Sequence, residues 1–208
     1  ICVANAGHGN KRIANSLKRI LEKPLLHTYT YASTERIDYL DYLIANTPSQ
    51  FEKAFLLSAG TEATEVALKL MRLNGEKNSK RKRGIICFEG AYHGRTMGAQ
   101  MMTGSIPAKE WIGFQDPNIH HLPFPYPWEE GVKDPKEFFI KSLNNLSKKH
   151  NLNLDEDICG IMLETFQGWG GIFYPKNFIK EVASFAKERG ILIAFDEMQA
   201  GFGRTGEL

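Results

Sequence analysis

The sequence predicts an α/β fold whose mostly parallel sheet is flanked by helices on both faces. Short apolar runs alternate with longer amphipathic segments along most of its 208 residues. The runs are apolar at nearly every position, as strands are when helices cover both faces of a sheet. A hydrophobic content of 42% and a charged content of 24% are those of an ordinary globular domain.

The first fifty residues predict two helices. Apolar side chains recur at helical spacing in residues 11–22 and again in residues 35–45. Thr34 can cap the second helix at its start. We interpret residues 1–50 as an N-terminal segment that leads into a large domain, of which residues 51–208 form the first part.

Beyond residue 50, the pattern alternates between strands and helices. Four apolar runs predict strands, at 54–58, 84–88, 158–163 and 191–195. Three amphipathic segments predict helices, at 61–74, 134–149 and 176–189. Residues 104–128 are rich in proline and aromatic side chains and predict a long loop, a kind of segment that is usually functional.

Two of these helices have a clear apolar face. In helix 61–74 the pattern predicts inward side chains at Ala63, Val66, Ala67 and Leu70. In helix 176–189 it predicts buried side chains at Phe178, Ile179, Val182, Phe185 and Ala186. Gly75 and Gly190 follow the two helices and are predicted to be their C-terminal caps.

The net charge and the cysteines indicate which kinds of protein this sequence does not resemble. The formal net charge of +2 gives no field that favours nucleic acid, and the basic run at 80–83 is interpreted as a solvated loop. Cys87 and Cys159 lie in strand-like runs and are expected to be buried free thiols, which favours a reducing, cytoplasmic location. No apolar run is long enough to cross a bilayer.

The residues that follow each strand are candidates for a binding site, because ligands of such sheets bind beyond the carboxyl ends of the strands. After the first predicted strand, Gly60 and Thr61 open a helix. The free N–H groups and the positive end of the helix dipole favour a phosphate there. Taken alone, the same residues also fit an ordinary strand-to-helix turn.

Aromatic and acidic side chains follow the next two strands. Tyr92 and His93 follow the second strand, where a tyrosine can stack on a flat ring; a turn with a surface histidine is the alternative. Glu164 ends the third strand, where burial would require a partner for its carboxylate. Gln167 stands three residues further on.

Asp196 ends the fourth strand, and Gln199 follows it. A carboxylate in such low-dielectric surroundings favours a cationic partner. Gly201, Gly203 and Gly206 form a G-x-G-x-x-G pattern, but four residues separate it from the strand. A dinucleotide-binding fingerprint places its first glycine directly after the strand, so we interpret this match as coincidental.

Together the strand ends suit a ligand with a phosphate, a flat aromatic ring and a ring nitrogen that holds a proton. Pyridoxal 5'-phosphate (PLP) has all three. Gly60 and Thr61 would hold the phosphate, and Tyr92 would cover one face of the ring. Asp196 would keep the ring nitrogen protonated, so that the ring can accept electrons from a substrate carbanion.

Five stretches resemble class-III PLP-dependent aminotransferases, which are fold-type I enzymes. They are NAGHGNKRIANSLKRI (5–20), SAGTEATEVALKLMR (58–72), FEGAYHGRT (88–96), ETFQG (164–168) and FDEMQAGFGRTG (195–206). Each is short, but together they extend over nearly the whole sequence. The resemblance implies that the chain is part of the large cofactor-binding domain of a PLP-dependent aminotransferase.

The resemblance also implies roles for individual residues. The cofactor-binding residues are Gly60, Thr61, Tyr92, His93, Asp196 and Gln199, and the catalytic residues are Asp196 and Glu164. The family's Schiff-base lysine is expected beyond residue 208, so this chain alone is expected to be inactive. The parent protein is expected to be a homodimer that needs no metal and acts on a small amino donor and a keto acid.

One departure from the family pattern concerns the substrate. The usual E-P-x-Q-G-E has a second glutamate that partners a substrate-binding arginine, and here Trp169 replaces it while Thr165 replaces the proline. We expect a bulkier or less acidic substrate pocket. The alternatives are a racemase or aminomutase of the same family, a non-catalytic truncated cofactor domain and, more distantly, a nucleotide-dependent oxidoreductase.

Overall fold

The structure, a computed structural model, describes residues 4–24 and 31–206. The chain divides into two compact units, Ile1–Leu56 with Gly206–Leu208, and Leu57–Thr205. The interpretation of residues 1–50 as a separate N-terminal segment stays a prediction.

The first unit contains the two expected helices, α1 (Lys11–Leu21) and α2 (Thr34–Ala45). The Asn10 side chain caps α1 by accepting hydrogen bonds from first-turn N–H groups. Ser33 rather than Thr34 caps α2, because Ser33 has the extended backbone that turns its hydroxyl toward the first turn. The large apolar side chains of α1 are exposed.

The second unit contains eleven α-helices and β-strands within the described residues. In chain order they are α3 (Gly60–Glu76), β1 (Gly84–Phe88), α4 (Met97–Met102), β2 (Ile119–Leu122), α5 (Pro135–His150), α6 (Leu154–Asp157), β3 (Ile158–Glu164), β4 (Phe166–Gln167), β5 (Ile172–Phe173), α7 (Lys176–Arg189) and β6 (Leu192–Asp196). Strands β2, β1, β3 and β6 form, in that order, a sheet whose neighbours are all parallel. Strands β4 and β5 form a separate antiparallel hairpin.

Helices cover both faces of the sheet, as the sequence predicts. Side chains alternate along β1, so Ile86 and Phe88 enter a core shared with α5 and α7. Ile85 and Cys87 point the other way, into a smaller core shared with α3 and α4. All five residues of β1 are buried, which explains its continuously apolar sequence. The expectation of free, buried thiols at Cys87 and Cys159 is confirmed.

Two predictions about strands and loops were wrong. Residues 54–58 form no strand, because they pair with no strand in the described part of the chain, and the Phe55 side chain is 75% exposed. The long loop predicted at 104–128 contains the 3-10 helix Pro107–Ile112 and the strand β2. The β2 sequence, Ile-His-His-Leu, has two polar residues at its centre and lies at the sheet edge, so it lacks the continuously apolar signal of a buried strand.

The inward face of α3 also differs from its prediction. Thr64, Leu68, Met71 and Gly75 are buried, whereas Ala63 and Leu70 are exposed. Thr64 can be buried because its hydroxyl donates to the carbonyl of His93 at 2.7 Å. Gly75 lies inside the helix and does not cap it: a Cβ there would fall 2.1 Å from the carbonyl oxygen of Lys82. Close packing against the following segment therefore requires glycine. Helix α7 and its Gly190 cap match the prediction.

The basic run at 80–83 is not simply a solvated loop. Lys82 is buried, and its ammonium donates to the carbonyl oxygen of Arg189 at 2.8 Å, at the C-terminal end of α7. Its exposed neighbours form ion pairs, Arg81 with Asp157 and Arg83 with a glutamate of α3. No helix among the described residues is both long and apolar enough to cross a membrane.

Candidate active site

The carboxyl ends of the central strands bring the predicted site residues together. Glu164 and Asp196 are register partners at the ends of β3 and β6. The segment that follows β1 contacts both of them, through the backbone of Tyr92 and the side chain of His93. Parallel strands end at the same edge, which is why three distant stretches of sequence converge there.

His93 and Asp196 form the central contact of this cluster. The Nδ1 atom of His93 lies 2.9 Å from Oδ2 of Asp196, and their side chains are 0% and 6% exposed. The His93 backbone is held in place, because its N–H donates to the Thr103 hydroxyl and its carbonyl accepts from the Thr64 hydroxyl. The other ring nitrogen, Nε2, is buried without a hydrogen-bond partner among the described residues. The alternative interpretation of His93 as a surface histidine in a turn is therefore wrong.

Glu164 is buried, and its partners are backbone N–H groups. Oε2 accepts from the N–H of Tyr92 at 3.2 Å, and Oε1 accepts from that of Gly168 at 3.3 Å. Burial raises the pKa of Glu164, whereas these two hydrogen bonds oppose the rise because they favour the charged form. The backbone N–H groups of Tyr92 and Gly168 are thus the partners that a buried carboxylate at Glu164 requires.

Gly60 and Thr61 lie at the N-terminus of α3. The N-cap residue, Ala59, makes no side-chain capping bond, so the first turn keeps its anion-binding character. Gly94 packs against Thr61: a Cβ on Gly94 would fall 2.1 Å from the Thr61 hydroxyl, and Gly94 has a φ of +127°. The Thr61 hydroxyl lies 3.1 Å from that of Thr96. These contacts join the start of α3 to the segment that carries His93.

Gln199 follows β6 and lies against the turn of the β4–β5 hairpin. A Cβ on Gly168 would fall 2.1 Å from the Gln199 amide nitrogen, so the close approach requires glycine. Gly60 is likewise in contact with the residue before Gln199, since a Cβ there would meet the Met198 side chain at 2.5 Å. The segment after β6 thus contacts the start of α3 through Met198 and the hairpin turn through Gln199.

An open cavity of about 850 Å³ lies beside these residues. Tyr92, 48% exposed between two buried neighbours, forms part of its lining, as do Trp111 and Trp169. The sequence interpretation assigned no role to Trp111, which lies in the predicted loop. No short motif marks it, so only the tertiary structure shows that it faces this cavity.

Gln167 is a further residue to which the sequence assigned no role. It is completely buried, and its amide nitrogen donates to the carbonyl of Glu89 at 2.6 Å. Its amide oxygen accepts from the indole N–H of Trp169 at 2.8 Å and from the Tyr126 hydroxyl at 3.2 Å. Gln167 therefore sets the orientation of the tryptophan that replaces the family's glutamate.

The parallel sheet covered by helices on both faces, with a buried aspartate at the end of β6, has the architecture of the fold-type I enzymes. Within that class, a model of the family described as "Aminotransferase class-III" matches residues 1–208. The chain belongs to the class-III aminotransferase family.

Known proteins with similar sequences and structures agree with this family. The mitochondrial acetylornithine aminotransferase of Candida glabrata is 33% identical over 216 residues, 100% of this chain and 46% of the relative. An alanine/serine racemase of Pyrococcus horikoshii is 30% identical over 98% of this chain and 44% of the relative. An (S)-enantioselective omega-transaminase from Thermomicrobium roseum superposes with a TM-score of 0.88 at 28% identity, over 100% of this chain and 48% of that one. The chain spans about half the length of the curated relatives it matches.

Proposed function

We propose that the protein to which this chain belongs is a PLP-dependent aminotransferase, which moves an amino group between an amino acid or amine and a keto acid. The observation that carries the proposal is the buried carboxylate of Asp196. It stands at the end of β6, is held by His93, and lies among the strand ends that ligands of such sheets occupy.

The residues present fit PLP. The first turn of α3 at Gly60 and Thr61 has no capping side chain and suits a phosphate. The half-exposed Tyr92 offers a ring for stacking. Asp196 accepts one hydrogen bond at each oxygen, from His93 and from the Met198 N–H, and a carboxylate has capacity for more. These residues are proposed to hold the cofactor, with Gln199 beside the ring.

When bound, PLP supplies an electron sink for the carbanion that forms when a substrate Cα–H bond breaks. The carboxylate of Asp196 would hold a proton at the ring nitrogen, and His93 would keep that carboxylate oriented. Glu164 forms part of the site wall, where its two backbone donors hold it still. The Schiff-base lysine that would move the Cα proton is expected beyond residue 208, so the chain alone is predicted to be inactive.

The finer properties of the protein are proposals that rest on the family resemblance. We expect a homodimer, because active sites of fold-type I enzymes form between two subunits. We expect a cytoplasmic location, which agrees with the free, buried thiols of Cys87 and Cys159. The proposed partners are a small amino donor and a keto-acid acceptor.

A racemase is the second candidate, because one relative of similar identity is an alanine/serine racemase. A racemase and an aminotransferase would share the same cofactor site. The product separates them: transamination converts the donor into a keto acid or aldehyde, whereas racemisation inverts the donor and leaves its amino group in place.

The test uses the complete protein with added PLP. We expect a visible absorption band that borohydride removes, and a pyridoxyl adduct on one lysine by mass spectrometry. We also expect one keto acid to form for each amino group that leaves the donor. The rate of this reaction should fall at least about 100-fold in Asp196→Asn, because the charge that the variant lacks stabilises the reacting state. Inversion of the donor without keto-acid formation would favour the racemase. Absence of any specific adduct would contradict both functions.

A further inference from the structure

Two exposed tryptophans that line the cavity beside Tyr92 are held by the same arrangement. The indole N–H of Trp111 donates to the amide oxygen of Gln100 at 3.2 Å. The indole N–H of Trp169 donates to the amide oxygen of Gln167 at 2.8 Å. Both glutamines are buried, whereas Trp111 and Trp169 are 64% and 65% exposed.

Each glutamine is itself held by a backbone carbonyl. The Gln100 amide nitrogen donates to the carbonyl of Ala108, and the Gln167 amide nitrogen donates to that of Glu89. With its nitrogen so engaged, each amide must present its oxygen to the indole. The two indoles are therefore oriented before any ligand arrives, which lowers the entropy cost of packing against one.

Gly90 packs closely against the side chains that hold Trp169. A Cβ on Gly90 would fall 2.9 Å from the amide oxygen of Gln167 and 2.9 Å from the Tyr126 hydroxyl. The Tyr126 ring also meets the Trp169 ring edge to face, with centroids 6.4 Å apart. Trp169 is thus held by Gln167 and Tyr126, and it lines the cavity.

The lining of the cavity is otherwise suited to an apolar group. Ala91 and Ala108 contribute methyl groups, Arg95 contributes a cation, and no carboxylate among the described residues lines the cavity. Aromatic rings favour other rings at offset-stacked or edge-to-face geometry beyond what their apolar area alone provides. A flat ring packed against an indole gains this contribution, whereas a flexible aliphatic chain gains only from burial.

We propose that this cavity takes the aromatic ring of the substrate, so that the preferred amino donor or carbonyl acceptor is an aryl compound. This inference rests on the proposed aminotransferase function, because only then is the bound aryl compound a substrate. It adds the chemical class of substrate to that function. Trp111 and Trp169 are the specificity-determining residues, and Gln100 and Gln167 position them.

The test measures binding to the complete, PLP-loaded protein by calorimetry with three unreactive probes: 3-phenylpropionate, 3-cyclohexylpropionate and butyrate. We expect the phenyl compound to bind at least about 10-fold more tightly than butyrate, because it buries more apolar area. We expect it to bind about 3-fold or more above the cyclohexyl compound, because only the flat ring gains the aromatic contribution.

Variants of the tryptophans test whether Trp111 and Trp169 cause the preference for the phenyl probe. Trp111→Leu and Trp169→Leu should each remove most of the phenyl-over-cyclohexyl preference. Trp128→Leu is the matched control, because Trp128 is also 65% exposed and stacks on Tyr126 but does not line the cavity. The preference should survive in that variant. Equal binding of the phenyl and cyclohexyl probes to the wild type, or an equal loss in the control, would overturn the inference.

Activity assays keep this inference separate from the proposed function. A protein that prefers 3-phenylpropionate but makes no keto acid from any donor would contradict the aminotransferase function and support the aryl cavity. A protein that transaminates small aliphatic donors and shows no preference among the probes would support the function and contradict the aryl cavity.

Discussion

His93 and Asp196, 103 residues apart in the sequence, form a buried hydrogen bond of 2.9 Å between Nδ1 and Oδ2. The contact fixes a carboxylate at the end of β6 in surroundings where an unpaired charge would be costly.

Replacing His93 with alanine should destabilise the protein and weaken cofactor binding. The variant removes a hydrogen bond to a buried carboxylate, a loss of about 1.5–3 kcal/mol in the free energy of unfolding. Urea unfolding of the complete apoprotein measures the loss, and a titration with PLP measures the affinity. His8→Ala is the control, because His8 is exposed. Unchanged stability and unchanged affinity in His93→Ala would show that Asp196 does not depend on His93.

Gly94→Ala should be far more damaging than Gly190→Ala, although both glycines have positive φ. At Gly190 a Cβ would meet nothing within 4 Å, so only backbone strain of about 1 kcal/mol applies. At Gly94 the Cβ would also fall 2.1 Å from the Thr61 hydroxyl, which raises the expected loss to about 3 kcal/mol. Urea midpoints compare the two, and similar losses would count against the close packing of α3 on this segment.

Lys82→Met should lower the free energy of unfolding by about 2 kcal/mol. The change removes the ammonium that bonds the Arg189 carbonyl at the end of α7, where positive charge is also favoured by the helix dipole. Lys80→Met is the matched control on the same basic run, because Lys80 is exposed, and it should cost under about 0.5 kcal/mol. Equal urea midpoints for the two variants would mean that Lys82 contributes nothing as a cap.

The protein should lose stability in mild acid through His120 and His121. Burial lowers the pKa of each to about 4, helped by the charge of His150 for His120 and of Lys109 for His121. Both folded values lie below the unfolded value of about 6.5. The unfolded state therefore binds more protons, so stability that is complete above pH 6.5 is lost as the pH falls toward 4.

The size of this effect is at most about 3 kcal/mol for each histidine. Urea midpoints at pH 7.5, 6.0 and 4.5 measure it. The variant His121→Gln should flatten the dependence on pH between 6.5 and 4.5, and His8→Gln should leave it as it is in the wild type. A dependence equally steep in all three proteins would assign the acid sensitivity to other groups.

Trp169→Glu should change the choice of amino donor. The family pattern has a glutamate at this position as partner to a substrate-binding arginine, so the variant should gain rate with glutamate and lose rate with bulky apolar donors. The ratio of kcat/KM values for glutamate and for a bulky donor measures the change in the complete protein. A wild type that already prefers glutamate would show that Trp169 does not set donor choice.

Much of the fold could be predicted because its signals are local. Helix α7 shows its apolar face in its spacing and its end in Gly190. Strand β1 is apolar throughout, and β3 is apolar up to its last residue, Glu164. Strand β2 could not be predicted, because an edge strand with two histidines has no such pattern. The inward face of α3 was misjudged because the burial of Thr64 depends on a carbonyl from a distant segment.

Part of the candidate site could likewise be predicted from the sequence, and part of it depends on the tertiary structure. The sequence by itself determined that Gly60 and Thr61 open a helix, that Tyr92 follows a strand, and that Glu164 and Asp196 end two others, because helix starts and strand ends are local events. Only the tertiary structure decided that His93 is the partner of Asp196, and that Gln100 and Gln167 hold two tryptophans beside the site. Those contacts join residues from separate elements, and their geometry exists only once the parallel strands have aligned their ends.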